Sequence, residues 1–124
     1  MHRLGVEVTM ELTSKSGLPL RVEHNEQMHR YEVYAQDKRI GLAEYIRHDD
    51  AVLFTHTEVS PEMNGEGIGT ALIKEALDDV REAGLTAVPI CPFVVNYVEH
   101  NRSDYLAAGG KVRAVNSADY ALLR

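Results

Sequence analysis

Near its start the chain alternates: Leu4, Val6, Val8, Met10 and Leu12 are apolar, with Gly5, Glu7, Thr9 and Glu11 between them. A period of two predicts a half-buried strand. The stretch "SKSG" breaks it, and "LPLRVEHNE" reads as a short extended piece in which Pro19 favours an edge or a connection. "RYEVYAQ" and "RIGLAEYIRH" read as strands joined at Asp37-Lys38, a hairpin-length gap. "AVLFTHTEV" is a further β run after a turn at Asp49-Asp50. Short links between three or four such runs predict an antiparallel meander.

The period changes after Pro61. Ile68, Leu72, Ala76 and Val80 recur every four residues, flanked by Ala71, Ile73, Leu77 and Ala83, while Lys74, Glu75, Asp78, Asp79, Arg81 and Glu82 fill the other side. That predicts an amphipathic helix with a solvated acidic face, closed by Gly84. "LTAVPIC" follows as a short apolar strand containing Pro89, and "PFVVNYVEHN" as a second helix with Pro92 in its first turn. "SDYLAAGG" is expected as one more helical turn capped by Ser103. The tail fits either a strand at Val112–Val115 or a helix from Ser117. The order predicts a mixed α+β fold in which the strands flanking the first helix run parallel through one right-handed crossover.

Composition changes little in this picture. A chain of 124 residues with 44% hydrophobic positions fits one domain with its own core. The formal charge of −6 argues against a nucleic-acid footprint or a polybasic membrane anchor. The lone cysteine, Cys91, allows no intramolecular disulfide, and no metal-spaced Cys/His cluster appears. The expectation is a cytoplasmic protein without nucleic-acid or membrane partners, monomeric or homodimeric.

Between the last meander strand and the helix stands "NGEGIG", with Gly65, Gly67 and Gly69. Glycines before a helix let backbone N–H groups close on a phosphate. A nucleotide-triphosphate loop would require Gly-Lys-Ser/Thr, and none is present near the turn. The dinucleotide fingerprint G-x-G-x-x-G would require glycine where Thr70 stands, and an acidic residue where the next strand ends in Cys91-Pro92. The pyrophosphate turn of acyl-CoA enzymes, Arg/Gln-x-x-Gly-x-Gly/Ala, matches Asn64, Gly67 and Gly69 in spacing and in element order. A plain glycine-rich loop remains the ligand-free alternative.

In "HTEVSPEMNGEGIGTALIKEAL", "GLTAVPICPFVVNYV", and the "Y-x-V-Y" and "GLAEY" strands before them, the chain resembles the GNAT (GCN5-related N-acetyltransferase) superfamily. The likeness is to its compact YjdJ-like domains and covers roughly two-thirds of the sequence. Residues 24–105 then form the acetyltransferase-like core of a single domain spanning 1–124, with 1–23 an extra N-terminal strand segment and 106–124 a C-terminal tail. The resemblance implies acetyl-CoA as co-substrate, with Asn64, Gly65, Glu66, Gly67, Ile68, Gly69 and Thr70 around the pyrophosphate. It also implies pantetheine lying beside Glu58 and Val59 like an added strand, where Pro89 cannot donate to the ladder. Where the family usually carries Arg or Gln, Asn64 offers an amide without charge.

Acetyl transfer to an amine of pKa about 10 needs a base, a polarised carbonyl and an exit for the thiolate. Glu58 stands as the base or as an exposed strand carboxylate. His56, two residues away, shares its face and titrates usefully or is hydrogen-bonded within the sheet. Cys91 precedes a helix, a place that favours thiolate. In the compact family a cysteine here lies near the CoA sulfur; it is acylated, merely close, or a small buried group. Tyr97 matches by element the tyrosine that protonates the leaving thiolate, or else anchors helix to sheet. Asn96 is the neighbour that faces the cofactor instead. Tyr31, Tyr34 and Tyr45 read as sheet residues. The expected function is acetyl-CoA-dependent N-acetyl transfer to a primary amine on a small molecule or protein. The alternative is an acyl-CoA-binding module or sensor with little turnover.

Overall fold

The computed structural model describes residues 6–123. Its elements are β1 (Val6–Thr13), β2 (Pro19–Asn25), β3 (Arg30–Ala35), β4 (Lys38–His48), β5 (Ala51–Val59), a 3-10 turn (Pro61–Met63), α1 (Ile68–Glu82), β6 (Thr86–Pro89), α2 (Pro92–Ala107), β7 (Lys111–Val112) and α3 (Ser117–Ala121). Seven strands form one sheet whose spatial order is the chain order. β1 to β5 are antiparallel, and β5–β6 and β6–β7 are parallel. The fold is mixed α/β, as the pattern predicts. No helix among the described residues is long and apolar enough to cross a membrane.

Five meander strands are present, against the three or four expected. The "LPLRVEHNE" piece is a full internal strand, with Pro19 at its first position opposite Thr13. Leu4 and Gly5 of the expected N-terminal alternation lie outside the described residues. Within β1 the register shifts between Val8 and Met10, so the single unbroken alternation is not kept. The turn at "SDYLAAGG" is not a separate element. α2 runs through Ser103, and the Tyr105 hydroxyl donates to Leu77 O (2.7 Å), which anchors the last turn to α1. The tail forms a two-residue strand, Lys111–Val112, which meets the expected Val112–Val115 only at Val112, and then the helix expected from Ser117.

Two β-α-β connections advancing the same way along the sheet put α1 and α2 on one face. Ile68, Leu72, Ile73, Leu77 and Val80 of α1 are at most 2% exposed and pack on Val22, Tyr31, Val33, Phe54 and Ala87. Each such side chain contributes about 1.5–3 kcal/mol of gross burial energy. At the far end of α1, Gly84 adopts φ +75, Gly84 N–H donates to Arg81 O and Leu85 N–H to Val80 O, both 3.0 Å. This left-handed stop turns the chain directly into β6. The acidic face of α1 is not uniformly solvated as expected. Glu75 is 7% exposed, and Asp79 Oδ2 accepts from the Tyr31 hydroxyl (2.6 Å) and lies 3.2 Å from His24 Nδ1, tying the helix to β2 and β3.

The other face is open at the end of β5, where His56 and Glu58 are exposed, but buried at Glu23, Glu32 and Leu42, and it is covered over β5–β6, where Val115 and Leu122 pack against Ala51, Leu53 and Val88. α3 is fastened there by a capping box between Asn116 and Asp119 and by a two-pronged Arg113–Asp119 pair (2.7 and 2.9 Å). The Arg113 guanidinium, then the Asn116 N–H, pull the Asp119 carboxyl down to about 2. A depressed carboxyl stabilises above its unfolded pKa and loses that contribution as pH falls through the folded value. Melting points measured from pH 5 to pH 2 should therefore fall more steeply for the wild type than for Asp119→Asn, the gap closing between about pH 4 and pH 2. Parallel curves for the two proteins would show that the pair contributes nothing.

Candidate functional site

The 3-10 turn and two left-handed glycines, Gly65 (φ +81) and Gly67 (φ +74), carry the chain from β5 into α1. Gly67 is the N-cap, so α1 begins without a side-chain cap, and its first internal bond is Ala71 N–H to Gly67 O (3.0 Å). The N–H groups of Ile68, Gly69 and Thr70 precede that bond and crowd the positive end of the helix dipole. Such an end suits a phosphate. Gly69 answers a different demand: a Cβ there would lie 2.7 Å from Phe93 Cζ, so this glycine admits the Phe93 ring of α2. Ile68 offers only backbone, because its side chain is in the core.

Asn64 is exposed, and its N–H donates to Pro61 O (3.2 Å). Glu66, expected around the pyrophosphate, makes contacts within the chain. Its N–H donates to Met63 O (3.2 Å), and its carboxylate accepts from Ser16 N–H (3.1 Å) and the Ser16 hydroxyl (2.8 Å). The Ser14 and Ser16 hydroxyls hold that carboxyl below the usual range. Lys15 N–H donates to Glu66 O (3.1 Å), so the β1–β2 hairpin is docked on the glycine turn.

Beside the turn the sheet splits. β5 pairs with β6 only from Ala51 to Phe54, while its pairing with β4 continues to Val59. Pro89, opposite Phe54, ends β6, and Phe54 O takes both the Ile90 N–H (3.1 Å) and the Cys91 N–H (2.9 Å). Beyond this the β5 edge from Thr55 to Val59 has no strand neighbour on the β6 side among the described residues. The split coincides with a β-bulge. Tyr45 faces Phe54 and Glu44 faces His56, so Thr55 is the extra residue, and its hydroxyl donates to Glu44 O (3.3 Å).

The bulge decides which face each side chain takes. Phe54 is in the core under the helices. Past the extra residue, Thr57 returns to that face opposite Ala43, and the Cys91 thiol donates to its hydroxyl (3.5 Å). His56 and Glu58 lie on the open face, with His56 Nε2 and Glu58 Oε2 2.7 Å apart. Glu58 and Cys91 thus flank β5 from opposite sides. Cys91 is the N-cap of α2, 8% exposed, with Pro92 in the first turn.

Thr70, Asn96 and Tyr97 come together in a cavity of about 290 Å³ walled by Phe93, between the glycine turn and α2. Tyr97 lines this cavity, whose walls do not include Cys91 or Glu58. Six residues along α2 from Cys91 place it about two-thirds of a turn around the axis, and its ring packs in the α1–α2 seam near Lys74 and Asp78. Burial, with the carboxylates of Asp78 and Glu75, raises its phenol and keeps it protonated. A second cavity of about 220 Å³ runs along Arg39, Leu42, Glu58 and Pro61. There Gly41 has no room for a side chain, since a Cβ would sit 3.0 Å from Glu58 O. Thr57, Phe93 and Lys15 have no local sequence signal. Thr57 enters only through the bulge, and Lys15 through contacts with Glu66 and Gly67, remote from it in the sequence.

Residues 30–108 match the family model described as GCN5-related N-acetyl-transferase. Similar solved structures include the ribosomal-protein-S18-alanine N-acetyltransferase from Escherichia coli, at 20% identity and a TM-score of 0.44, covering 45% of this chain and 36% of that one. Another is nourseothricin acetyltransferase, at 22% identity and a TM-score of 0.37, covering 65% of this chain and 58% of that one. The chain therefore spans about a third and somewhat over half of the lengths of these two. No curated protein matches it.

Proposed function

The chain belongs to the GCN5-related N-acetyl-transferase family, and we propose that it transfers an acetyl group from acetyl-CoA to a primary amine. The observation that carries this is the split of the sheet at Phe54–Pro89 directly beside an uncapped, glycine-started α1. An anion cradle and an open strand edge, side by side, suit a ligand with a pyrophosphate at one end and an amide-bearing arm at the other. The thioester of acetyl-CoA supplies the activated acyl group. The residues of the chain do the rest. The N–H groups of Gly67, Ile68, Gly69 and Thr70, with the Asn64 amide, hold the pyrophosphate, and Asn96 and Tyr97 wall the adjoining cavity. Backbone groups from Thr55 to Val59 bind the pantetheine amides, and an N–H there polarises the carbonyl.

An amine arriving over the open face meets the Glu58 carboxylate, which takes its proton directly or through water, while His56 holds the carboxylate in place. The cavity along Leu42, Glu58 and Pro61 is where that amine sits. Cys91 is on the other side of β5 with its thiol hydrogen-bonded to Thr57, so this arrangement favours direct attack by the amine. In this reading Tyr97 is a wall residue rather than the proton donor, because its ring lies in the helix seam.

Incubation with acetyl-CoA should raise the melting point. At a hundredfold excess over Kd the linkage is about 2.7 kcal/mol, a shift of several degrees for a domain of this size. Release of free CoA should follow on adding amines. Cys91→Ala should keep turnover within about tenfold and the wild type should show no acetyl adduct by intact mass. Absence of stabilisation would remove the cofactor assignment. Stabilisation without CoA release across diverse amines would leave an acyl-CoA-binding module, and loss of turnover in Cys91→Ala with an adduct on the wild type would make the cysteine an acyl carrier.

A further inference from the structure

The glycine turn offers N–H groups and a neutral amide, yet a pyrophosphate carries two negative charges in a protein whose net charge is −6. Nearby cations are engaged: Lys38 with Glu62 (2.5 Å) and Lys74 with Asp78 (2.8 Å). Lys15 is different. It sits in the β1–β2 hairpin, outside residues 30–108, exposed and without an ion pair within 4 Å among the described residues, though its charge helps at longer range to lower the Glu66 carboxyl. Its stem lies across the N-cap of α1. A Cβ on Gly67 would be 3.4 Å from Lys15 Cε, 3.6 Å from Cγ and 3.9 Å from Cδ. Nζ is one bond beyond Cε, so a rotation within the side chain brings it to the start of α1. The hairpin is held in this position by the Glu66 carboxylate on Ser16 and by the Lys15 N–H on Glu66 O.

We propose that Lys15 supplies the positive charge that pairs with the pyrophosphate of CoA, and that Glu66 is the positioning residue that docks its hairpin on the turn. The proposal rests on the acetyl-CoA reading above. It gives the N-terminal hairpin a part in the cofactor site and gives Glu66 a role that suits an anion near an anion site: its carboxylate is turned to the hairpin serines while the ammonium reaches the ligand. A charged hydrogen-bond donor contributes more than a neutral one, and an exposed one weakens as salt rises.

The test is calorimetric titration of the wild type, Lys15→Gln and Lys15→Arg with CoA and with 3′-dephospho-CoA, at low and high salt. Lys15→Gln should bind CoA about tenfold more weakly, carry the same penalty with 3′-dephospho-CoA, and respond less to salt than the wild type. Lys15→Arg should bind like the wild type, and adding Asn64→Arg to Lys15→Gln should recover most of the loss. Lys15 is exposed, so the unliganded melting point should be unchanged in each variant. Wild-type binding with an unaffected Lys15→Gln overturns the charge assignment alone. A penalty that vanishes with 3′-dephospho-CoA overturns it too, because the ammonium then serves the 3′-phosphate. No CoA binding by the wild type overturns both this proposal and the reading beneath it.

Discussion

Gly67→Asp should abolish CoA binding while leaving the fold in place. Gly67 holds φ +74 at the N-cap of α1, and a side chain in the left-handed region costs about 1–2 kcal/mol, least for Asn and Asp. An aspartate beside the free N–H groups at a helix start is favoured by the helix dipole, which offsets part of that cost. Those are the N–H groups assigned to the pyrophosphate, so the new carboxylate both occupies them and repels the ligand. The dissociation constant should rise more than about a hundredfold, and acetyl-CoA should no longer raise the melting point. The unliganded melting point should fall by only a few degrees. Undiminished stabilisation of Gly67→Asp by acetyl-CoA would mean that the turn is not the phosphate cradle.

The second large effect falls on turnover rather than binding. Glu58→Gln should leave CoA affinity unchanged and lower kcat/KM by roughly 10²–10⁴ at neutral pH, the range for loss of a positioned general base. The deficit should narrow as pH rises toward about 10, where an alkyl amine gives up its proton unaided. His56→Gln should have a smaller effect of the same kind, since His56 acts through the Glu58 carboxylate that it holds at 2.7 Å. A Glu58→Gln enzyme within threefold of the wild type, at every pH, would move the base elsewhere, with the Cys91–Thr57 side of β5 the next place to look.

What the sequence made legible is what short-range pattern controls. β5 runs from Ala51 to Val59, as its apolar run and the Asp49-Asp50 turn indicate, and α1 begins and ends where a four-residue period and two glycines say it should. α2 was harder to delimit. Ser103 is a good cap residue in isolation, but the Tyr105–Leu77 bond and the Tyr105 ring seated against Gly110 keep the helix going past it. The faces of β5 were illegible for a different reason. Simple alternation puts Phe54, His56 and Glu58 on one side, whereas the extra residue at Thr55 sends the last two to the other. A bulge is set by what the partner strand can pair with, so no local count of apolar residues reveals it. The turn around Gly67 was visible, but the hairpin that docks on it was not, because Ser16 and Glu66 are fifty positions apart.

The unbroken strand order, β1 through β7, also bears on how the molecule assembles. Each antiparallel neighbour in the meander is reached through a short link, such as residues 36–37 or 49–50, so closing each hairpin costs little chain entropy. Pairing β6 with β5 first requires the whole stretch from Ser60 to Leu85 to be gathered in, with α1 formed and seated. Closure entropy is therefore lowest for the five-strand meander and higher for the parallel strand that defines the split. The split in the sheet is thus bounded on one side by the part of the chain that is easiest to close and on the other by a part that depends on a long connection.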